Sequence, residues 1–458
     1  MFTYIKLKNF MSFRDVTFDF RNGRKGSKKF VAIYGENGSG KSNFVRSIDF
    51  LRRSIDSFDP SNCIPINSQW EQPQLQRLEI YYRFLTSHLI IDTRQIPDLS
   101  IITSDCRMAE CEEESDVEYG FQYNGHEGCY TIRFTDKIIY EKLYYYTGRQ
   151  SGTLFELSFQ DGSIQKNFSG KLFASKKVDS EICDEIDKYW GKHTFLSILN
   201  KEKSEKNEQY IKDSYLPFLF DVLTMIQEMT VHYKMTSLSG SEIEAGKPSN
   251  ILKKLDRGEI RKNDEAVLNR SERILNDLLT QLYADIKEVY YEKQYEGNAI
   301  SYTLYAKKMI GGRIRNIDFQ QESAGTRHIL EIIHSLLGAF CGVTVVYDEI
   351  DNGIHDLLLK NILESMVDHI TGQLIITTHN TYMLETINPK SAYVINVDYQ
   401  GNKDVKSLDQ FTRIQGTNNP RTMYLKGLFG GVPMIDTVDY DSILQELTED
   451  ESEEKGGE

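Results

Sequence analysis

Apolar and polar positions alternate along the first twenty residues: Ile5, Leu7, Phe10, Phe13, Val16, Phe18 and Phe20 stand on a period near two. This pattern predicts two strands joined near residues 9–14. A wholly apolar run, Phe30 to Tyr34, reads as a buried strand, and the N-terminal pair is expected beside it. Residues 75–160 are rich in β-branched and aromatic side chains, as in LEIYYRF, YTIRF, IIYEKLYYY and TLFELSF, and predict an antiparallel sheet in which the tyrosines are packing residues. From about residue 178 to residue 292 the period turns helical, with Leu268, Leu275, Leu278, Leu279, Leu282, Ile286 and Val289 forming a stripe at three- and four-residue spacing. Residues 237–262, rich in Gly, Ser and Lys, read as a long loop, and Gly311-Gly312 as a turn. The helical section is too short and interrupted for long heptad arms, and no internal repeat is seen.

Between the Phe30–Tyr34 run and an amphipathic stretch stands GENGSGKS, residues 35–42. A Gly-rich turn between strand and helix presents successive backbone N–H groups to phosphate oxygens, and the helix N-terminus adds positive potential. Gly35, Glu36, Asn37, Gly38, Ser39, Gly40 and Asn43 form this cradle and its flank, with Gly38 and Gly40 keeping the backbone open. Lys41 is placed to reach the terminal phosphates and Ser42 to hold Mg²⁺. A turn that merely joins strand to helix would not need the Lys-Ser pair.

Composition narrows the setting. With 458 residues, 40% of them hydrophobic, the chain has room for two or three packed domains. The opening MFTYIKLKNF lacks the form of a secretory signal and no run reaches the length of a membrane span, so a cytoplasmic protein is expected. Six scattered cysteines then read as reduced thiols. The net charge of −14 opposes nonspecific attachment to nucleic acid by the molecule as a whole. Much of the acidity lies in residues 109–118 (AECEEESDVE) and in the tail 446–458, which reads as a disordered, solvated terminus. Cys106, Cys111, His126 and Cys129 suit tetrahedral zinc chemically, but their spacing is loose and ordinary thiols are the better reading.

Two further strand ends carry chemistry. Thr344 to Tyr347 is apolar and ends in Asp348-Glu349, where Asp348 would hold Mg²⁺ and Glu349 would orient and deprotonate the attacking water. The run from Gln373 to Thr378 ends at His379, whose imidazole can hydrogen-bond the γ-phosphate and sense its loss. Upstream, ESAGTR (residues 322–327) opens a helix expected over 326–339, with Ser323 a natural N-cap.

In order, a phosphate loop, a long insertion, Ser-x-Gly at a helix start, a strand with Asp-Glu and a strand with His resemble an ABC-type ATPase head. The resemblance implies an α/β fold, a mixed central sheet with an antiparallel β subdomain and a helical insertion. It divides the chain into a first lobe (1–170), an insertion or second lobe (171–315), the signature, acidic-pair and His part (316–435) and the acidic tail (436–458). Ser323 and Gly325 would be the signature that touches the γ-phosphate of ATP on the opposite subunit, and Asn352, Gly353, Ile354 and His355 the dimer-interface loop. Within that superfamily YIKLKNFMSF, GENGSGKSNF, ESAGTRHILEI, VVYDEIDNGIHDLLL, IITTHNTYML and YLKGLFGGVP are similar to the OLD-like AAA ATPases of bacterial abortive-infection and anti-phage systems, related to RecF and SMC heads.

That likeness implies ATP and Mg²⁺ as ligands and a homodimer or higher homo-oligomer built through shared ATP sites. OLD nucleases append a Toprim domain, whereas only about eighty residues follow His379, and roughly a hundred are needed for such a domain. The expected effector is therefore a separate chain, a Toprim- or HNH-type nuclease, as in defence systems of the PARIS or Septu type. The glutamine that links the first lobe to Mg²⁺ in such heads is not singled out among Gln72, Gln74 and Gln76. The alternative is a RecF/SMC-like DNA-repair ATPase clamping duplex DNA, for which the basic stretch KKLDRGEIRK (residues 253–262) permits phosphate contacts, although an exposed helix explains that stretch equally well. A non-hydrolysing scaffold would not need Glu349.

Overall fold

The computed structural model describes residues 1–23, 26–59, 98–147, 150–233, 252, 254–411, 419–432 and 438–444. The glutamines at 72, 74 and 76, the LEIYYRF run and most of the acidic tail lie outside the described residues.

Three sheets organise the chain. The six-stranded one runs Lys403–Ser407, Ala392–Val397, Phe30–Tyr34, Gln373–Thr377, Thr344–Tyr347 and Thr230–His232 from edge to edge. All neighbours pair in parallel except the Lys403–Ser407 edge. Its three central strands are buried at every position, which explains their unbroken apolar runs: a parallel sheet covered on both faces leaves no polar side. The mixed α/β architecture is that expected from the order of motifs.

The N-terminal pair lies elsewhere than expected. Phe2–Phe10 and Phe13–Asp19 form the predicted hairpin, but Phe2–Phe10 pairs next with Ser115–Tyr123 and so enters a seven-stranded antiparallel sheet, not the sheet of the phosphate-loop strand. The remaining strands there are His126–Phe134, Ile138–Thr147, Gln150–Gln160 and Ser163–Phe168, in chain order. Alternation decides the outcome: the N-terminal strand needs one buried and one polar face, which an antiparallel sheet provides. Buried Gln373 joins the two sheets, its amide bonding the backbones of Phe2 and Lys28.

The helical reading holds for Lys176–Tyr189, Phe195–Glu205, Glu208–Ser214, Pro217–Gln227 and Glu265–Leu282. It fails at Ile286 and Val289, which lie on the strand Ile286–Glu296. The apolar spacing continues past Leu282, but the β-branched and aromatic residues of IKEVYYEKQY pack better on a pleated surface. Gly297 (φ 58°) and Asn298 turn the chain tightly into the partner strand Ala299–Ile310. Arg257–Arg261 is also a strand, so the basic stretch there is not a helix. Gly311-Gly312 makes the expected turn, into Arg313–Asp318, completing a four-stranded sheet.

Candidate functional site: a phosphate loop beside an acidic pair and a histidine at strand ends

Three adjacent parallel strands deliver the site from one edge. Phe30–Tyr34 ends in the glycine loop, its neighbour Gln373–Thr377 ends before His379, and the next, Thr344–Tyr347, ends at Asp348 and Glu349. Ligands of open α/β sheets bind outside such carboxyl ends. The helix Lys41–Ile55 starts on Gly40, whose φ of 109° is left-handed and suits glycine, and no side chain caps it. Its first N–H groups therefore face the loop without a protein acceptor from a cap.

Within the loop Gly35 and Ser39 are buried, Glu36 and Gly40 half-buried, Asn37 and Gly38 exposed. The Lys41 ammonium donates to the Gly35 and Glu36 carbonyls at 2.8 and 3.0 Å. Burial depresses its pKa, and the nearby carboxylates of Asp348, Glu349, Asp351 and Glu36 oppose that. Ser42 lies close enough to Asp348 to pull its carboxyl pKa down, so the two expected Mg²⁺ ligands meet. Burial nevertheless holds the Asp348 carboxyl above the ordinary range, against the opposing effects of Thr377 and Ser42.

Thr377, which the sequence did not mark, links the two acids. Its hydroxyl donates to Asp348 Oδ1 at 2.5 Å and accepts from the Glu349 N–H at 2.8 Å. Glu349 is exposed, with φ at 50°, a conformation uncommon outside glycine and a form of backbone strain that clusters at functional positions. His379 is exposed at its strand end, and its backbone N–H donates to Asp351 Oδ2 at 3.0 Å. Partial desolvation and then Lys41 lower the imidazole pKa, with Asp351, Glu349 and Asp348 pulling the other way. Asp351 is a second residue the sequence reading passed over.

The residues fit a Mg²⁺-bound triphosphate. Ser39 Oγ and Asp351 Oδ1 are buried with no hydrogen-bond partner among the described residues, one within the loop and the other beside His379. Unpaired buried polar atoms are costly: the Ser39 hydroxyl can donate to a phosphate oxygen, whereas the Asp351 oxygen is an acceptor that a cation or a donor relieves, not phosphate.

The signature segment behaves as a helix start and more. Ser323 caps Ala324–Phe340, accepting from the Thr326 N–H at 3.2 Å, and stays exposed. A Cβ on Gly325 would fall 2.4 Å from the Gly353 carbonyl, so the glycine lets the signature touch the loop that follows Glu349. His355 in that loop caps the helix Asp356–Met366. The distant YLKGLFGGVP segment also reaches the site: a Cβ on Gly431 would lie 3.5 Å from Gly35 Cα, and Tyr424 packs on Tyr34. The zinc set is not assembled: among the described residues no group of three or more His, Cys, Asp or Glu could hold a metal. His126 and Cys129, three apart on one strand, point to opposite faces. No described helix is long and apolar enough to cross a membrane.

Comparison with known proteins agrees at the level of the ATPase domain. No curated protein sequence matches the chain. Among solved structures, an SMC head bound to the C-winged helix domain of ScpA is similar over 90% of this chain and 99% of that one, at 16% identity and a TM-score of 0.42. The SMC head domain from Thermotoga maritima is similar over 89% and 98%, at 14% identity and a TM-score of 0.37. The SMC head with an extended coiled coil, bound to the C-terminal domain of ScpA derived from Pyrococcus furiosus, covers 89% and 97%, at 13% identity and a TM-score of 0.39. Residues 4–52 match a family model described as "AAA domain", and residues 168–385 one described as "AAA domain, putative AbiEii toxin, Type IV TA system", so AAA-domain sequence flanks residues 53–167.

Proposed function

We propose that this chain binds ATP with Mg²⁺, hydrolyses it, and acts as a nucleotide-dependent switch that assembles with a second copy and controls a separate effector in anti-phage defence. The observation that carries the ATPase reading is the meeting of Lys41, Ser42, Asp348, Glu349 and His379 at one edge of a parallel sheet, with Thr377 bonded to both acids.

Each residue has a task in this reading. The loop N–H groups and Lys41 hold the β- and γ-phosphates, and Ser42 with Asp348 holds Mg²⁺, which neutralises phosphate charge. Glu349 accepts a proton from the attacking water, and Thr377 fixes the Glu349 backbone so that the carboxylate is aimed before substrate arrives. His379, neutral near pH 7, donates to the γ-phosphate. Ser323 and Gly325 of a second copy would complete the site, so the γ-phosphate favours the closed pair through contacts that the diphosphate lacks. The family description naming a putative AbiEii toxin supports the abortive-infection setting; in the proposal the protein works in the cytoplasm and its effector is a separate nuclease of Toprim or HNH type.

Glu349→Gln tests the ATPase core. Hydrolysis is expected to fall by about 10²- to 10⁴-fold while ATP binding persists and a closed dimer or larger oligomer accumulates on size exclusion. Hydrolysis at the parent rate would refute the assignment. For the biological role, cells carrying the gene with its neighbouring reading frame should survive phage challenge, and Lys41→Ala should abolish that protection; equal plaque counts with and without the parent gene would remove the defence reading.

A further inference from the structure

The first residue of the antiparallel edge strand, Lys403, has no part in the motifs. It follows a turn in which Asp398 accepts from the N–H groups of Gln400 and Asn402, and it pairs across with Val397 at the carboxyl end of the parallel strand Ala392–Val397. The turn therefore returns Lys403 to the edge that carries the phosphate loop. Its ammonium donates to Ser12 Oγ at 2.5 Å, lies 3.4 Å from the Gly38 carbonyl and stands over the Phe13 ring at 5.2 Å. A Cβ on Gly40 would be 2.9 Å from its Nζ. Ser12 Oγ also accepts from Asn43 Nδ2 at 2.6 Å, so the loop flank and the N-terminal turn share one hydroxyl.

This half-buried cation has only neutral acceptors. Lys406 on the same strand, by contrast, pairs with Asp404. Lys403 has no ion pair among the described residues, and burial alone depresses its pKa, with no carboxylate opposing. A cation withdrawn from water without an anion is costly, and it lies against the glycines of a loop whose open N–H groups already suit an anion.

We propose that Lys403 is a second phosphate-binding cation of the nucleotide site, engaging the phosphate chain from the Gly38–Gly40 end of the loop while Lys41 serves the Gly35–Glu36 end. This rests on the nucleotide-binding reading above. It gives the edge hairpin a purpose beyond closing the sheet, and it makes a residue more than 360 positions downstream part of the same site. A brace between the N-terminal turn and the loop would need only a hydrogen-bond donor, whereas a phosphate partner needs the charge.

Calorimetric titration of the full chain with Mg²⁺-ATP and Mg²⁺-ADP tests this, with thermal melting in the absence of nucleotide to check folding. Lys403→Met should weaken both nucleotides by about tenfold and leave the nucleotide-free melting temperature near that of the parent. Lys403→Arg should retain most of the affinity. Parent-like affinity in the Met variant, or equal losses in the Met and Arg variants, would overturn the proposal while leaving the Lys41 site intact. If the parent binds neither nucleotide, the phosphate-site reading itself fails and this one falls with it.

Discussion

Two helix N-termini in this molecule meet the same physical problem and solve it in opposite ways. At Phe195 the first turn is closed: Thr194 caps it, and the buried carboxylate of Glu141 accepts from the N–H groups of Phe195 at 2.6 Å and Leu196 at 3.3 Å. Glu141 also accepts from Tyr130 and the Trp190 indole at 2.8 and 2.9 Å, so its oxygens are fully occupied. At Lys41 the first turn has a left-handed glycine for a cap and a lysine where a carboxylate would otherwise neutralise the dipole. A helix end satisfied from within is structure, while one left without a cap, beside the unpaired Ser39 hydroxyl, has donors to spare for a ligand. Both ends carry glutamates nearby, so composition does not distinguish them; the pairing does.

The contrast predicts separable losses. The largest is Glu141→Ala, which strands an indole, a phenol and two backbone donors in the core and should lower stability by roughly 3 kcal/mol or more, read as a fall in denaturation midpoint. A variant within about 0.5 kcal/mol of the parent, the range of ordinary surface changes, would show that the closed end is not structural. At the open end, Lys41→Ala should do the reverse, with nucleotide affinity falling by about tenfold to a hundredfold and stability without nucleotide nearly unchanged. Thr377→Val keeps volume and removes both hydrogen bonds at the acidic strand end. Hydrolysis should drop by about tenfold while Mg²⁺-ATP still binds, at a stability cost of about 1 kcal/mol; unaltered turnover would deny Thr377 its positioning role.

The smallest effect concerns pH. The His379 pKa is lowered in the fold, so below its ordinary value of about 6.5 the unfolded chain binds a proton that the folded chain resists. Stability is then full above that value and declines as pH falls toward the folded pKa. His379→Gln should flatten this part of the stability–pH curve, and an identical slope in parent and variant would contradict the assignment.

Much of this was legible in local patterns. The apolar runs at 30–34, 344–347 and 373–377 announce buried strands, and the structure brings the residues at their ends to one edge of a parallel sheet. The stripe through Leu268 and Leu282 lies on one helix, but Ile286 and Val289 continue its spacing into a strand, because apolar spacing alone does not separate a helix end from a strand start when a hairpin turn about ten residues later decides between them. The N-terminal hairpin was legible as a hairpin, while its sheet was not, since the partner strand begins more than a hundred residues away.

Sequence alone determined the identity of the loop, the two acids, the imidazole and the Ser323 cap, because each depends on residue type within a few positions of a strand or helix end. Only the tertiary structure decided that Thr377 bridges the acids, that Gly325 meets Gly353, that Gly431 lies over Gly35 and that Lys403 reaches Gly38. Those contacts join segments far apart in the chain, and strand order, which no local propensity encodes, sets which strand ends become neighbours.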